Sequence, residues 1–374
     1  MAGGSRSASA LKARSLTELS LGQFSYAMER LSAKGRPVGS GYHHLNLSLR
    51  VPRRGYRMLR YDTVKVRRRV PAIDLVERVW EDEGQLLQLL RSWPGGLPVG
   101  VPLLLHHSHD GVSVHSYVPG TSLADRYPEG SHLPVRVVER ILRLFAELTE
   151  TAAKELPEPS SGRPFAVNSS AFLRERVEFA QRTLADRNAG RFGDLFTSLG
   201  VGPWAMEKFG EWLPALTDRP FALLHTDLHR GNVIVDRRTR VTVLDWEHAS
   251  YGDPLYELAT HLCRTRYPRQ QEVEVIRRWE EVVGDRSPAS VKGLAEDLRH
   301  FIDYERAQSF YPNTIRAALA YSADPTPRTL AAGGRWLHRT LREAADPLRL
   351  KRVSSEEECR AELLRWYEGD GRAG

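Results

Sequence analysis

Residues 221–247, FALLHTDLHRGNVIVDRRTRVTVLDWE, constrain the fold of this 374-residue chain more than any other stretch. The apolar runs 221–224, 233–235 and 241–244 are too short for helices and are bounded by polar turn residues, so they read as buried strands. Between and after them the chain presents His225, Asp227, Asn232 and Asp245. Two carboxylates and a carboxamide at the mouths of short strands are held rigidly by backbone. Asp, Asn and Gly are also ordinary loop residues, but loops alone do not call for two flanking strands and a second Asp in register.

On either side the periodicity changes. Residues 16–31 read as an amphipathic helix. Gly39, Ser40 and Gly41 make a turn, after which 46–51 and 63–67 alternate like strands, while 74–80 fits either strand or helix. From Glu83 the pattern is helical, with Leu86, Leu87 and Leu90 on one face. Residues 101–105 and 112–118 are two more strands around a polar turn, and Pro119-Gly120 ends the pattern. Beyond it Val138, Ile141, Leu142, Phe145 and Leu148 form an apolar stripe, 172–184 and 205–216 continue as helices, and helical patterns fill 254–367. The expectation is an α+β chain with a small β-rich N-terminal lobe, 1–117, and a larger, mainly helical C-terminal lobe, 118–374.

Charge and cysteine usage narrow the possible roles. Residues 1–80 hold 16 Lys and Arg against 5 Asp and Glu, whereas the whole chain is +7, so the remainder is net acidic. Without interleaved aromatics or a nucleic-acid motif this excess reads as a solvated basic face, with Arg67-Arg68-Arg69 at a strand end, rather than a nucleic-acid surface. Cys263 and Cys359 belong to no CxxC pair, so neither a disulfide framework nor a zinc site is expected. His225 and His229 are four apart but lack the Glu of an HExxH zinc motif. No run has membrane-spanning length, and the N-terminal residues lack a signal peptide's apolar stretch, so a cytoplasmic location is expected.

The island's polar set suits phosphoryl transfer. That reaction needs a carboxylate to orient an acceptor hydroxyl and take its proton, and oxygen ligands for magnesium on nucleotide phosphates. Asp227 suits the first task; Asn232, five residues on, and Asp245 suit the second.

HxDxxxxN, an apolar strand and an Asp thirteen residues later resemble the aminoglycoside phosphotransferase and choline kinase family, which has a protein-kinase-like fold. The likeness extends through Asp245-Trp246-Glu247, Gly252-Asp253-Pro254 and Glu257-Leu258-Ala259. It implies Asp227 as catalytic base, Asn232 and Asp245 as Mg²⁺ ligands, and ATP or GTP as donor. His225 would then be a hydrogen-bonding residue of the catalytic loop, with His229 near substrate or nucleotide.

The N-terminal half fits less closely. Gly39-Ser40-Gly41 precedes a strand as a phosphate-covering loop would, and SGYHHLNLSL is similar to the family's GxxNxx[Y/F]. Glu83 is placed to pair with a strand cation, for which Lys65 and Arg78 are the candidates; the short spacing from Arg78 favours Lys65. HSYVPGTSL is similar to the family hinge, which implies that Ser116 and Val118 lie against the purine.

The magnesium Asp lies in Asp-Trp-Glu rather than DFG and no APE follows, so a small-molecule acceptor is expected rather than a protein. Glu247 is a further substrate candidate. Asp303 and Glu305, among Phe301, Tyr304, Phe310 and Tyr311, are candidates for an acceptor pocket, although aromatics at helical spacing usually form core. Residues 251–374 carry 20 acidic and 20 basic side chains, so a weakly charged sugar, peptide or nucleoside antibiotic fits as well as a polycationic aminoglycoside. The alternatives are a kinase for choline, ethanolamine or a sugar, and a nucleotide-binding pseudokinase scaffold.

Overall fold

The computed structural model describes residues 36–37, 44–50, 63–69, 78–80, 83–107, 112–160, 162 and 164–371. The expected helix at 16–31 and the turn at Gly39, Ser40 and Gly41 lie outside them. Five strands, β1 (Arg36–Pro37), β2 (His44–Arg50), β3 (Thr63–Arg69), β4 (Leu104–His107) and β5 (Val112–Ser116), form an antiparallel sheet in the order β1-β2-β3-β5-β4. The expected strand at 101–105 begins at Leu104, beyond Pro102, which has no N–H to give a ladder.

Period-two alternation gives this sheet two different faces. Leu47, Leu49, Val64, Val66, Val112 and Val114 pack together on one. On the other, Lys65 lies between Ser48 and His115, and Arg67 between Asn46 and Ser113. Helix α1 (Glu83–Arg91) follows, burying Leu86, Leu87 and Leu90.

The remaining helices build the second lobe. They are α2 (Leu123–Arg126), α3 (Val135–Leu148), α4 (Ser169–Phe179), α5 (Ala189–Ser198), α6 (Ala205–Glu211), α7 (Pro254–Thr265), α8 (Arg269–Arg286), α9 (Leu294–Ala323), α10 (Pro327–Ala344) and α11 (Glu356–Trp366). Their apolar faces share one core, which also takes in the aromatics Phe301, Tyr304, Phe310 and Tyr311. The 205–216 helix stops at Glu211, and 180–185 continues α4 as a π-helical turn.

Set into this lobe are five short strands: β6 (Thr121–Ser122), β7 (Ala222–Leu224), β8 (Val233–Val235), β9 (Val241–Val243) and β10 (Ser250–Gly252). They form the sheets β6-β8-β9 and β10-β7. Gly120, with φ +147°, brings the chain between the lobes so close to β8 that a Cβ would lie 2.6 Å from Ile234. Only glycine fits there.

The Gly252-Asp253-Pro254 motif has a structural explanation. A Cβ on Gly252 would lie 2.1 Å from the Phe172 ring. Asp253 caps α7 by accepting from the Leu255 N–H at 2.8 Å, and Pro254 opens the helix where no N–H is needed. The same carboxylate takes the Arg219 guanidinium through Nε and Nη2, and Arg219 Nη1 donates to Asp297 at 2.7 Å. This buried triad ties the starts of α7 and α9 together.

Candidate active site

The loop from β7 to β8 carries Asp227 and Asn232. At its base Thr226 adopts a left-handed backbone, φ 59°, which costs a β-branched residue energy and must be held in place. Its N–H donates to Glu257 Oε2 at 2.8 Å and its hydroxyl to the His248 carbonyl at 2.6 Å. Glu257 belongs to the Glu257-Leu258-Ala259 segment, so that motif anchors the loop through α7. Burial pushes the Glu257 carboxyl up to about 7.

His225 fastens the loop to the β9 end. Its Nδ1 accepts the Asp227 N–H at 3.2 Å, so its Nε2 carries the proton and donates to the Leu244 carbonyl at 2.9 Å. Both ring nitrogens are thereby used, and burial lowers its pKa to about 4, keeping the ring neutral. Among the described residues, no group of three or more His, Cys, Asp and Glu side chains could hold a metal ion.

Asn232 lies next to Asp245 because β8 and β9 pair Val233 with Val243, and the Leu244 N–H donates to the Asn232 carbonyl at 2.8 Å. The Asn232 amide donates through Nδ2 to the Asp227 carbonyl at 2.9 Å and to Asp227 Oδ2 at 3.0 Å. This leaves Asn232 Oδ1 without a hydrogen bond among the described residues. Asp245, itself left-handed at φ 66°, accepts from Arg67 Nη2 through Oδ1 at 2.8 Å, and its Oδ2 has no hydrogen bond among the described residues. Two oxygen atoms on adjacent strand ends, one anionic and one neutral, suit a hard cation that completes its shell with phosphate and water. Burial raises the Asp245 carboxyl, but the Arg67 guanidinium, then His248 and Lys65, hold it well below the usual carboxylate range.

Arg67, like Arg264 and Arg219, is not marked by the sequence motifs. In the sequence it looks like Arg68 and Arg69, a strand end or solvated face. Arg68 is exposed, but Arg67, one residue earlier on β3, is 5% exposed and faces the cleft. Its Nη1 donates to Glu83 at 2.8 Å, and its Nη2 reaches Asp245 at 2.8 Å and Glu247 at 3.3 Å. Glu83 therefore meets Arg67 rather than Lys65 or Arg78. Lys65, two residues away, lines the same cleft, and burial followed by the Arg67 charge lowers its pKa. Arg78 lies behind Glu247 at 3.3 Å. The signal in the sequence was strand alternation, which puts 65 and 67 on one face.

Asp227 meets three partners. Its Oδ1 takes Arg264 Nη1; its Oδ2 takes Asn232 and faces His229 Nε2 at 3.7 Å. Burial raises this carboxyl, but Arg264, then His229 and His248, more than offset that and leave it below its ordinary value. Arg264 Nε in turn donates to Glu305 at 2.8 Å, and Glu305 also accepts from Gln308 at 2.9 Å.

A cleft of about 820 Å³ brings these groups together. It is lined by Asp227, Asn232, Asp245, Lys65, Glu83, Ser116, Val118, His229, Glu247 and Glu305, but not by Asp303 or Arg78. The Ser116 N–H donates to the Leu103 carbonyl at 2.8 Å and its hydroxyl accepts the Leu103 N–H at 2.9 Å, while Tyr117 and Val118 line the cleft beside it.

A family model described as phosphotransferase enzyme family matches residues 34–294. The chain belongs to this family. The fold is similar to a protein assigned as an aminoglycoside phosphotransferase from Ralstonia eutropha JMP134, with a TM-score of 0.54, 14% identity, and 85% and 94% of the two chains covered. It is also similar to APH(2")-IIia, solved with GDP and kanamycin, with a TM-score of 0.50, 16% identity, and 83% and 92% covered. Locally the sequence matches Probable choline kinase 2 of Arabidopsis thaliana, 26% identical over 102 residues, 22% of this chain and 29% of that one. Probable choline kinase 3 is 36% identical over 47 residues, 12% and 14% of the two chains. The chain thus spans less than a third of the length of these curated relatives. Among the described residues no helix is long and apolar enough to cross a membrane.

Proposed function

We propose that this phosphotransferase moves the terminal phosphoryl group of ATP or GTP to a hydroxyl of a small molecule, in the manner of an antibiotic-modifying enzyme. One observation carries the reading: Asp227, Asn232 and Asp245 converge on one cleft, with one oxygen of Asn232 and one of Asp245 making no hydrogen bond among the described residues. The residues up to 117 would cradle the nucleotide, with Val118 against the base and Lys65 and Arg67 on the phosphate side. Those from 118 onward would hold the acceptor.

Asn232 Oδ1 and Asp245 Oδ2 would hold Mg²⁺, which, when bound, offsets charge on the β- and γ-phosphates. Asp227 orients the acceptor hydroxyl. As the new O–P bond forms, the bridging bond to the nucleoside diphosphate breaks, and the hydroxyl proton ends on Asp227 before passing to solvent. A carboxylate below its ordinary pKa is a weak base, so its main contribution is orientation, which a loose transition state requires more than early proton removal.

That a neighbour of the same fold binds kanamycin supports a hydroxylated antibiotic as acceptor. The local likeness to choline kinases supports a metabolic kinase as the alternative. The complete polar set argues against a pseudokinase scaffold. The test is a mass-spectrometric screen of hydroxylated antibiotics and metabolites with Mg²⁺ and either ATP or GTP. A product heavier by one phosphoryl group is expected, with turnover lowered by about 10²–10⁴ in Asp227→Asn. Full turnover in that variant removes Asp227 from the reaction.

A further inference from the structure

The acceptor half of the cleft is built by the end of α7, the middle of α9 and α10, with Glu129 beside them. Its carboxylates are already paired. Glu305, 1% exposed, is held by Arg264 and Gln308. Glu343 takes the Arg266 guanidinium, and Glu129 meets Arg339 at 3.1 Å and Arg266 at 3.8 Å. Asp125, at the exposed mouth, accepts from the Ser122 hydroxyl at 2.7 Å. An incoming ammonium group would meet carboxylates that already share their charge with an arginine or, at Asp125, accept from a hydroxyl.

The cations are less fully used. Arg264 spends Nη1 on Asp227 and Nε on Glu305; among the described residues Nη2 makes no hydrogen bond, and 27% of the side chain is exposed. Arg306, next to Glu305 and exposed at the same cleft, has no salt bridge among the described residues, and its charge acts on the Asp303 and Glu272 carboxyls only from farther off. An anion taken up by Arg264 lies one guanidinium away from Asp227, which places a neighbouring hydroxyl at the base.

We propose, on the phosphotransferase reading above, that the acceptor carries an anionic group, a carboxylate or a phosphate ester, near its reacting hydroxyl, and that Arg264 and Arg306 bind it. The phosphoryl group passes from the nucleoside triphosphate to that hydroxyl, with the diphosphate as leaving group and the proton on Asp227. Arg264 thus has two tasks: it positions Asp227 and anchors the acceptor.

Titration calorimetry on the full chain, with Mg²⁺ and AMP-PNP and again without nucleotide, tests this with four hydroxylated probes. Gluconate and glucose 6-phosphate present the two anionic groups; glucosamine and choline present cations. The anions are expected to bind at least about tenfold more tightly, with the stronger of the two identifying carboxylate or phosphate, and Arg306→Gln is expected to erase the preference. Equal binding, no binding by any probe, tighter binding of the cations, or an unchanged preference in Arg306→Gln overturns the proposal. The nucleotide step is read separately: loss of Mg²⁺-dependent AMP-PNP binding overturns the phosphotransferase reading, whereas nucleotide binding without anion preference overturns the acceptor class alone.

Discussion

Arg67 is shared by three carboxylates, and the distribution of charge at the site follows from that. Glu83, Asp245 and Glu247 all lie within 3.3 Å of its terminal nitrogens. Burial, against the pull of Arg67 and with Asp245 and Glu247 close by, leaves the Glu83 carboxyl up at about 7. Removing the guanidinium takes away the cation that Glu83, Asp245 and Glu247 share, leaving Glu83 beside His115 and Glu247 beside Arg78, each at 3.3 Å. Breaking a buried pair typically costs about 3–5 kcal/mol. Arg67→Met is therefore expected to lose about that much stability, read as a lower urea midpoint. Arg67→Lys, which keeps the charge but not the fork of donors, should fall between it and the parent chain. An unchanged midpoint in Arg67→Met would mean that the three carboxylates are satisfied without it. The sequence concealed this residue for a physical reason. An arginine run looks solvated, and only the facing of β3 separates Arg67 from Arg68.

Between elements, α4, β10 and α7 pack closely, with the Phe172 ring against Gly252 and 5.5 Å from the Tyr256 ring. The Gly-Asp-Pro motif was legible as a pattern, and its cap and its proline follow from helix-end chemistry. Its glycine did not, because the Phe172 ring that excludes a Cβ comes from a helix eighty residues earlier. Arg219 was missed for the same reason: its partners Asp253 and Asp297 lie 34 and 78 residues away in sequence. Gly252→Ala should push the ring aside and cost about 1–3 kcal/mol as overpacking. Phe172→Leu in the same chain should recover part of that loss, since it removes the atoms in collision. Thermal unfolding of the two single variants and the double variant measures the coupling. Strictly additive losses would show that the ring is not what the glycine accommodates.

Across the whole molecule, opposed buried titrations set the pH at which this fold is most stable. The sheet, the lobe order and the polar island were readable from alternation and turn chemistry, whereas these titrations arise from burial that only the assembled lobes create. His225 and His261, both lowered to about 4 by burial, contribute stability that is present above pH 6.5 and lost as pH falls toward 4. Glu257 and Glu83 have the opposite sign. Each is raised to about 7, so its contribution is complete below pH 4.5 and gone once pH passes about 7. Those four groups together favour weakly acidic conditions, between pH 4.5 and 6.5. Glu257 can be isolated from the others, because glutamine retains the acceptor for the Thr226 N–H and cannot ionise. A displacement from 4.5 to about 7 corresponds to about 3 kcal/mol, so between pH 5 and pH 8 the parent chain should lose up to that much relative to Glu257→Gln. Scanning calorimetry of both proteins at the two pH values reads it as a widening gap in Tm. A gap that stays constant would mean that Glu257 is already ionised at pH 5, and that the left-handed Thr226 is held by a carboxylate rather than by a neutral acid.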